Sequence, residues 1–196
     1  MKRASDIFLS FLLTVLFFPV FMLTAVAVLV SLGRPIIFTQ MRAGKGGREF
    51  QLLKWRSMSD ATDEAGRLLP DEQRTTAVGH AIRRLRVDEL PSVINIIRGD
   101  LSFVGPRPLP LVSPINQAWG GARLKIRPGL TGLAQVSGNT QLSDEEKLAV
   151  DLYYVATQSY FGDLLIIWRT VLTVIGGERR DEPLIRRAVR NLEKRI

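Results

Sequence analysis

From Ile7 to Leu32 the chain runs for 26 residues without a charge. An α-helix needs only ~20 apolar residues to cross a bilayer, so this run must be buried in lipid or in protein. Pro19 stands at its midpoint. A proline inside a helix removes one backbone donor and displaces the carbonyl four residues earlier, which predicts a kink or break there. Both flanks are basic: Lys2 and Arg3 precede the run, and Arg34, Arg42, Lys45 and Arg48 follow it. The positive-inside rule therefore ties. A segment that enters and returns on one face gives that tie, and so does a kinked spanning helix, in which proline is tolerated. A cleaved signal peptide fits poorly: its apolar core is shorter and ends at a small-residue site, whereas Gly33, Arg34 and Pro35 follow here.

The remaining residues narrow the chemistry. The chain has 196 residues and a formal net charge of +8, a balance that favours anionic partners such as nucleic acid, phosphorylated ligands or an anionic lipid surface. It has no cysteine, which excludes disulfides and thiolate metal sites. His80 is the single histidine, which argues against a histidine-rich metal site and a Ser-His-Asp triad.

Ile36 to Gln40 and Glu49 to Trp55 are rich in β-branched, aromatic and aliphatic residues around Gly44, Lys45, Gly46 and Gly47, which predicts a β-hairpin. The glycines lack P-loop spacing and no helix follows at once, so they read as a turn. Ser59 to Gln73 is a polar surface segment, and Val78 to Arg86 a short basic helix or turn. Leu90, Val93, Ile94 and Ile97 fall at helical spacing and predict an amphipathic helix with that face inward. Pro91 suits its first turn and Gly99 its end. Ser102 to Pro110 reads as extended, and Arg127 to Gly132 as a second rigid turn. Ser143 with Glu146 forms a capping box for a helix running to about Ala156. Ile166 to Ile175 is too short to span; a core helix and an interfacial helix both fit it, and Trp168 with the basic tail from Glu178 favours the interfacial one.

Asp88 and Glu89 sit side by side at the predicted helix start, close to its positive dipole end. Arg83, Arg84 and Arg86 precede them, and Arg107 and Arg127 lie in the later rigid turns. Helix capping with surface ion pairs accounts for such a pattern. So does a carboxylate nucleophile among phosphate-binding arginines, with a hard cation such as Mg²⁺ on carboxylate oxygen. In that second reading the helix terminus helps keep Asp88 ionised.

Along nearly its whole length the chain resembles the monotopic phosphoglycosyl transferases, the bacterial sugar transferases. The likeness starts at Lys2, Arg3 and Asp6 and continues through Phe38, Gln40, Arg42, Gly44, Gly47 and Phe50 to Lys54-Trp55-Arg56-Ser57-Met58. It is strongest in Val87-Asp88-Glu89-Leu90-Pro91, Asn95 and the segment Gly99 to Pro108. Arg127 to Gly132, Ala134-Gln135-Val136, Gly138 and Asp151 to Tyr154 complete it.

The resemblance implies an α+β fold. Residues 1–33 form a re-entrant helix-break-helix with Pro19 at the break. Residues 34–196 form a small, mainly helical catalytic domain with a β-hairpin and interfacial amphipathic helices, on the cytoplasmic face of the bacterial inner membrane. It implies an enzyme that moves a sugar 1-phosphate from a nucleotide sugar, UDP-linked, to polyprenyl phosphate, at the first membrane step of glycoconjugate or exopolysaccharide assembly. Asp88 becomes the covalent nucleophile. Glu89, with Asp88, becomes the Mg²⁺ ligand or a proton handler, and Arg83, Lys54, Arg107 and Arg127 become phosphate or nucleotide contacts. The partners are the donor, the polyprenyl phosphate and the lipid bilayer, with room for a homodimer and no nucleic acid. Two positions depart from the family pattern. Phe18 stands where a serine usually precedes the breaking proline, and Asn139 and Thr140 follow Gly138 where arginine and asparagine are usual; no binding role is carried over to that loop.

Overall fold

The computed structural model describes residues 2–194. The chain folds as two units, one from its start to Ile7, 41–51 and from Ile96 onward, the other from 8–40 and 52–95. The described residues are mostly helical, with two small two-stranded sheets.

The hydrophobic run forms α1 (Lys2–Leu16) and α2 (Phe18–Leu32), bent by 67°. The break falls at Phe17 and not at Pro19. Pro19 lies in the first turn of α2, where a backbone N–H has no helical acceptor and its loss costs nothing. Phe17 still donates to Leu13 O (2.9 Å) and accepts from Phe21 N (2.8 Å), so the bend keeps its backbone bonds. Among the described residues no single helix is long and apolar enough to cross a membrane; the bent pair together passes that test on length and composition. Phe8, Phe11, Leu16, Leu23 and Val30 are exposed. The other face of α2 packs Phe21, Ala25, Val28 and Leu32 against Trp55, Val78 and Ile82. The Phe21 and Trp55 rings meet edge-on with centroids 4.7 Å apart.

The predicted hairpin is present as β1 (Ile37–Ala43) and β2 (Glu49–Trp55), joined through a 3-10 turn at Lys45–Gly47. The segment that follows is closed by two isolated antiparallel bridges, Met58 with Thr75 and Thr62 with Leu68, and holds α3 (Asp71–Arg74) near its end. Thr76 caps α4 (Ala77–Arg84), its hydroxyl accepting from Gly79 N at 3.0 Å. A 3-10 turn, Val87–Ser92, then leads into α5 (Val93–Arg98). The inward face expected for this stretch needs correction. Val93, Asn95 and Ile96 are buried, while Ile94 and Ile97 are exposed. The 3-10 turn winds three residues per turn, so the 3.6-residue phase counted from Leu90 is lost before Val93.

In the other unit β3 (Ser102–Val104) pairs in parallel with β4 (Gly129–Thr131), Ser102 opposite Gly129 and Val104 opposite Thr131. Three glycines make this junction a backbone-on-backbone contact. A Cβ on Gly129 would lie 2.1 Å from Gly105 N, one on Gly132 2.1 Å from Gly105 O, and one on Gly105 2.5 Å from Arg127 O. Around it stand α6 (Pro114–Gly121), α7 (Leu133–Val136), α8 (Asp144–Thr157), α9 (Tyr160–Gly176) and α10 (Glu182–Glu193). The Ser143–Glu146 capping box is formed. Helix α9 begins six residues before the expected apolar run, capped by Ser159 accepting from Gly162 N. It buries Asp163 and Ile166 and exposes Phe161, Leu165, Trp168 and Ile175. The tail after Glu178 is not simply a charged end. Helix α10 docks Ile185 and Ala188 against Ala149, Val150 and Leu142, on apolar positions at helical spacing that the surrounding arginines obscure.

The first turns of α1 are tied down within the same unit. Lys2 Nζ donates to Asp163 Oδ2 (2.8 Å), Tyr154 OH (2.8 Å) and Val104 O (2.9 Å). Buried Asp6 Oδ1 accepts from Ser102 Oγ (3.0 Å) and Phe103 N (3.1 Å).

Candidate active site

The carboxylate pair is presented by a strained turn. Between α4 and the 3-10 turn, Arg86 adopts a left-handed backbone, φ 57°, which a residue with a Cβ rarely takes. That reversal places Asp88 and Glu89 in the first turn of the 3-10 segment. Two buried polar side chains fix the segment on strand β2. Asn95 Oδ1 accepts from Leu53 N (3.0 Å), and Ser92 Oγ donates to Leu53 O (2.6 Å). Both backbone groups of Leu53 are thereby held beside its neighbour Lys54, whose Nζ reaches Glu89 Oε1 at 2.6 Å. From the other side α4 packs on the Ser57 backbone at Gly79, where a Cβ would lie 1.9 Å from Ser57 O. On the same helix Arg83 Nε donates to Ser57 Oγ at 2.9 Å. Lys54, Arg83, Asp88 and Glu89 thus form one cluster.

Electrostatics at Asp88 works against the helix-end effect. Burial pushes the Asp88 carboxyl above its usual range, and the Glu89 charge pushes it further up. Lys54, a backbone hydrogen bond and Arg83 pull it back without cancelling the shift. A helix end was expected to keep Asp88 ionised. The 3-10 turn is too short for a strong dipole, so desolvation with a like charge sets the direction of the shift.

Arg107 and Arg127 belong to the other unit. Their segments flank the glycine junction: Gly129 N donates to Pro106 O (2.9 Å) and Ser102 N to Pro128 O (2.9 Å). The Arg107 segment is pinned from beneath by a buried polar group. Arg123, 3% exposed, pairs with Asp151, 5% exposed, at 2.8 Å. Its guanidinium also donates to Asn116 Oδ1 and to Arg107 O, the latter at 2.6 Å. Asn116 Nδ2 donates to Pro110 O (2.6 Å), and Ala43 N to Leu109 O (2.9 Å). That last bond brings the end of β1 alongside, and Arg42 has its pKa lowered by burial and then by the Arg107 charge. Arg127 Nε donates to Gly99 O at 2.8 Å. The departing loop finds its own partner: Asn139 Nδ2 and Thr140 N donate to Glu178 at 2.5 and 3.2 Å.

Sequence reasoning named the charged residues but gave their supports no role: Ser57 and Asn95 entered only as matches to the family pattern, and Ser92, Asn116 and Arg123 not at all. Ser57, Ser92, Asn95, Asn116 and Arg123 carry ordinary side chains whose burial a linear pattern does not reveal. The buried pair Arg123–Asp151 spans 28 positions, beyond any local periodicity.

Comparison with known proteins gives the same direction. Residues 1–177 match the family described as bacterial sugar transferase. The uncharacterized sugar transferase EpsL of Bacillus subtilis is 40% identical, over 91% of this chain and 89% of its own length. The UDP-glucose:undecaprenyl-phosphate glucose-1-phosphate transferase of Caulobacter vibrioides is 39% identical, over 89% of this chain and 69% of its own. The UDP-N-acetylgalactosamine-undecaprenyl-phosphate N-acetylgalactosaminephosphotransferase of Aeromonas hydrophila is 35% identical, over 90% of this chain and 44% of its own.

Proposed function

The chain belongs to the bacterial sugar transferase family, and from that premise we propose that it transfers a sugar 1-phosphate from a UDP-sugar to polyprenyl phosphate through a covalent aspartyl intermediate. The observation that carries the reading is Asp88, half-buried on a strained turn within electrostatic reach of Lys54 and Arg83. A carboxylate so placed meets a phosphate with two cations beside it.

In the first half-reaction an Asp88 carboxylate oxygen attacks the phosphorus that bears the sugar. The bond from that phosphorus to the oxygen bridging it to the nucleotide breaks, and UMP leaves with the electron pair. In the second, an oxygen of polyprenyl phosphate attacks the same phosphorus, and the bond to Asp88 breaks to return the free carboxylate. Lys54 and Arg83 neutralise charge on the phosphate oxygens, and Lys54 also orients Glu89. Arg107 and Arg127 are assigned to further phosphate or nucleotide contacts.

The residues fit Mg²⁺. Glu89 raises the Asp88 pKa, so the two carboxylates repel where a cation would relieve them. Among the described residues no trio of ligating side chains exists, but Mg²⁺ is commonly held by one or two carboxylates together with substrate phosphates and water. Glu89 and Asp88 would hold the ion, which supplies charge neutralisation at the diphosphate.

The bent α1–α2 pair is assigned to one leaflet, entering and returning on the cytoplasmic side, with its exposed apolar residues in lipid. The bonds of Lys2 and Asp6 to residues of the folded body support that placement. Exposed Trp168 and its neighbours on α9 suit headgroup depth. The reaction then opens glycoconjugate or exopolysaccharide assembly.

The test is mass spectrometry after incubation with UDP-sugar alone. The expected result is about one UMP per enzyme, as a covalent half-reaction requires, and a sugar-phosphate mass on the Asp88 peptide. First release that strictly needs the lipid acceptor would replace this reading with direct transfer.

A further inference from the structure

One cavity of the molecule is lined by far more positive charge than the fold uses. It encloses about 590 Å³, within the unit that holds α6 to α10, and Arg3, Lys45, Arg48, Arg98 and Arg127 surround it with Asp100 as the one acidic wall residue. These cations arrive from four separate stretches: the start of α1, the glycine turn after β1, the end of α5 and the loop before β4. Two of them have structural work. Arg3 donates to Ile96 O and, at 2.6 Å, to Ile97 O, and Arg127 Nε donates to Gly99 O, so both satisfy carbonyls at the end of α5. Each guanidinium has five N–H donors, and these bonds leave several for a ligand. Lys45, Arg48 and Arg98 make no ion pair among the described residues. The fold therefore gains nothing from setting them around the same space, and their mutual repulsion opposes it.

We propose that this cavity is a binding site for a phosphate-bearing ligand with at least two negative charges, a diphosphate or phosphomonoester group. Its volume lies in the range that holds a nucleotide-sized ligand, ~300–1,000 Å³. Preoriented guanidiniums match phosphate geometry, and the glycine turn supplies a wall on which a phosphate meets backbone. Arg127 is the one residue shared with the phosphate contacts assigned above; the site otherwise stands apart from that reading, and its test needs no turnover. The same chemistry is carried by a soluble nucleotide and by a lipid whose headgroup is a phosphomonoester.

The full chain in phosphatidylcholine nanodiscs is followed by hydrogen–deuterium exchange while inorganic pyrophosphate is added. Amides of residues 44–48 and 98–100 gain protection in the wild type, and the concentration needed rises with salt. The combined variant Lys45→Glu, Arg48→Glu, Arg98→Glu replaces exposed side chains without partners, so it keeps its far-UV circular dichroism. It needs at least about tenfold more pyrophosphate for the same protection, since several charge-assisted hydrogen bonds are lost. A second arm adds phosphatidic acid, whose headgroup is a phosphomonoester, to the nanodiscs without pyrophosphate. Protection from that lipid alone assigns the site to a headgroup, and protection from pyrophosphate alone assigns it to a soluble ligand. No protection in either arm, or protection unchanged in the variant, overturns the proposal.

Discussion

Replacing Arg123 by methionine tests how the Arg107 segment is held. The substitution keeps much of the volume but leaves the Asp151 carboxylate, 5% exposed, without its counter-charge. It also removes the donor to Asn116 Oδ1 and to Arg107 O. Breaking a buried pair on one side costs about 3–5 kcal/mol. For a protein of this size each kcal/mol moves the thermal midpoint by about 2–4 °C, which gives a fall of roughly 6–20 °C. The pH dependence follows from Asp151, whose carboxyl burial raises and Arg123 lowers. Without Arg123 its folded pKa rises further above the unfolded value. Stability is then full below the unfolded pKa and is lost as pH rises through the folded one, so the variant's deficit is large at neutral pH and shrinks in acid. Thermal unfolding in detergent at several pH values reads this out. The double variant Arg123→Met, Asp151→Leu should recover much of the loss, because an apolar pair often replaces a buried ion pair at little cost. It does not recover all, since the Arg107 and Asn116 oxygens stay without their donor. A deficit below about 1 kcal/mol at neutral pH, far under the expected range, or one unchanged in acid, would refute the reasoning.

Asp88→Asn should abolish turnover yet stabilise the fold at neutral pH. The raised Asp88 pKa means wild-type stability is lost as pH rises through it, so the variant's gain should vanish toward acid in the same unfolding assay. Arg83→Lys and Arg107→Lys keep charge but lose the guanidinium fork; turnover should fall at least about tenfold, the cost of one charge-assisted hydrogen bond, with unfolding curves little changed, and normal turnover in both would mark them as surface ion-pair residues. For topology, single cysteines at exposed Ala4 and Glu49 should both resist an impermeant external thiol reagent in intact cells, whereas labelling at Ala4 alone would mean a spanning segment. Ala4 is chosen over Lys2, whose amine is engaged by Asp163 and Tyr154.

What was legible in the sequence was local. The bent apolar pair, the hairpin strands and the Ser143 capping box each follow from residues within a few positions of one another. The carboxylate pair with Lys54 and Arg83 was legible through resemblance, and the structure brings those four together. The break at Phe17 was misplaced because proline is as comfortable in the first turn after a bend as it is disruptive in mid-helix. The inward face of α5 was misread because the preceding residues wind as a 3-10 turn, and α10 was hidden because arginines flank its few apolar positions. The Asp88 shift depends on burial, which no spacing rule reports.

The junction of Gly105, Gly129 and Gly132 acts as a rivet between the two loops that bear Arg107 and Arg127. Backbone lies on backbone there, with no side chain between the loops to be lengthened, shortened or repacked. The span between the two loops is therefore a constant of the fold: a substitution at any of the three glycines shifts both loops at once, and none adjusts one against the other. In this chain the freedom to vary lies in segments hung from the rivet, such as the loop of Asn139 and Thr140, which is tied by side-chain bonds to Glu178 and can be re-cut without moving the frame.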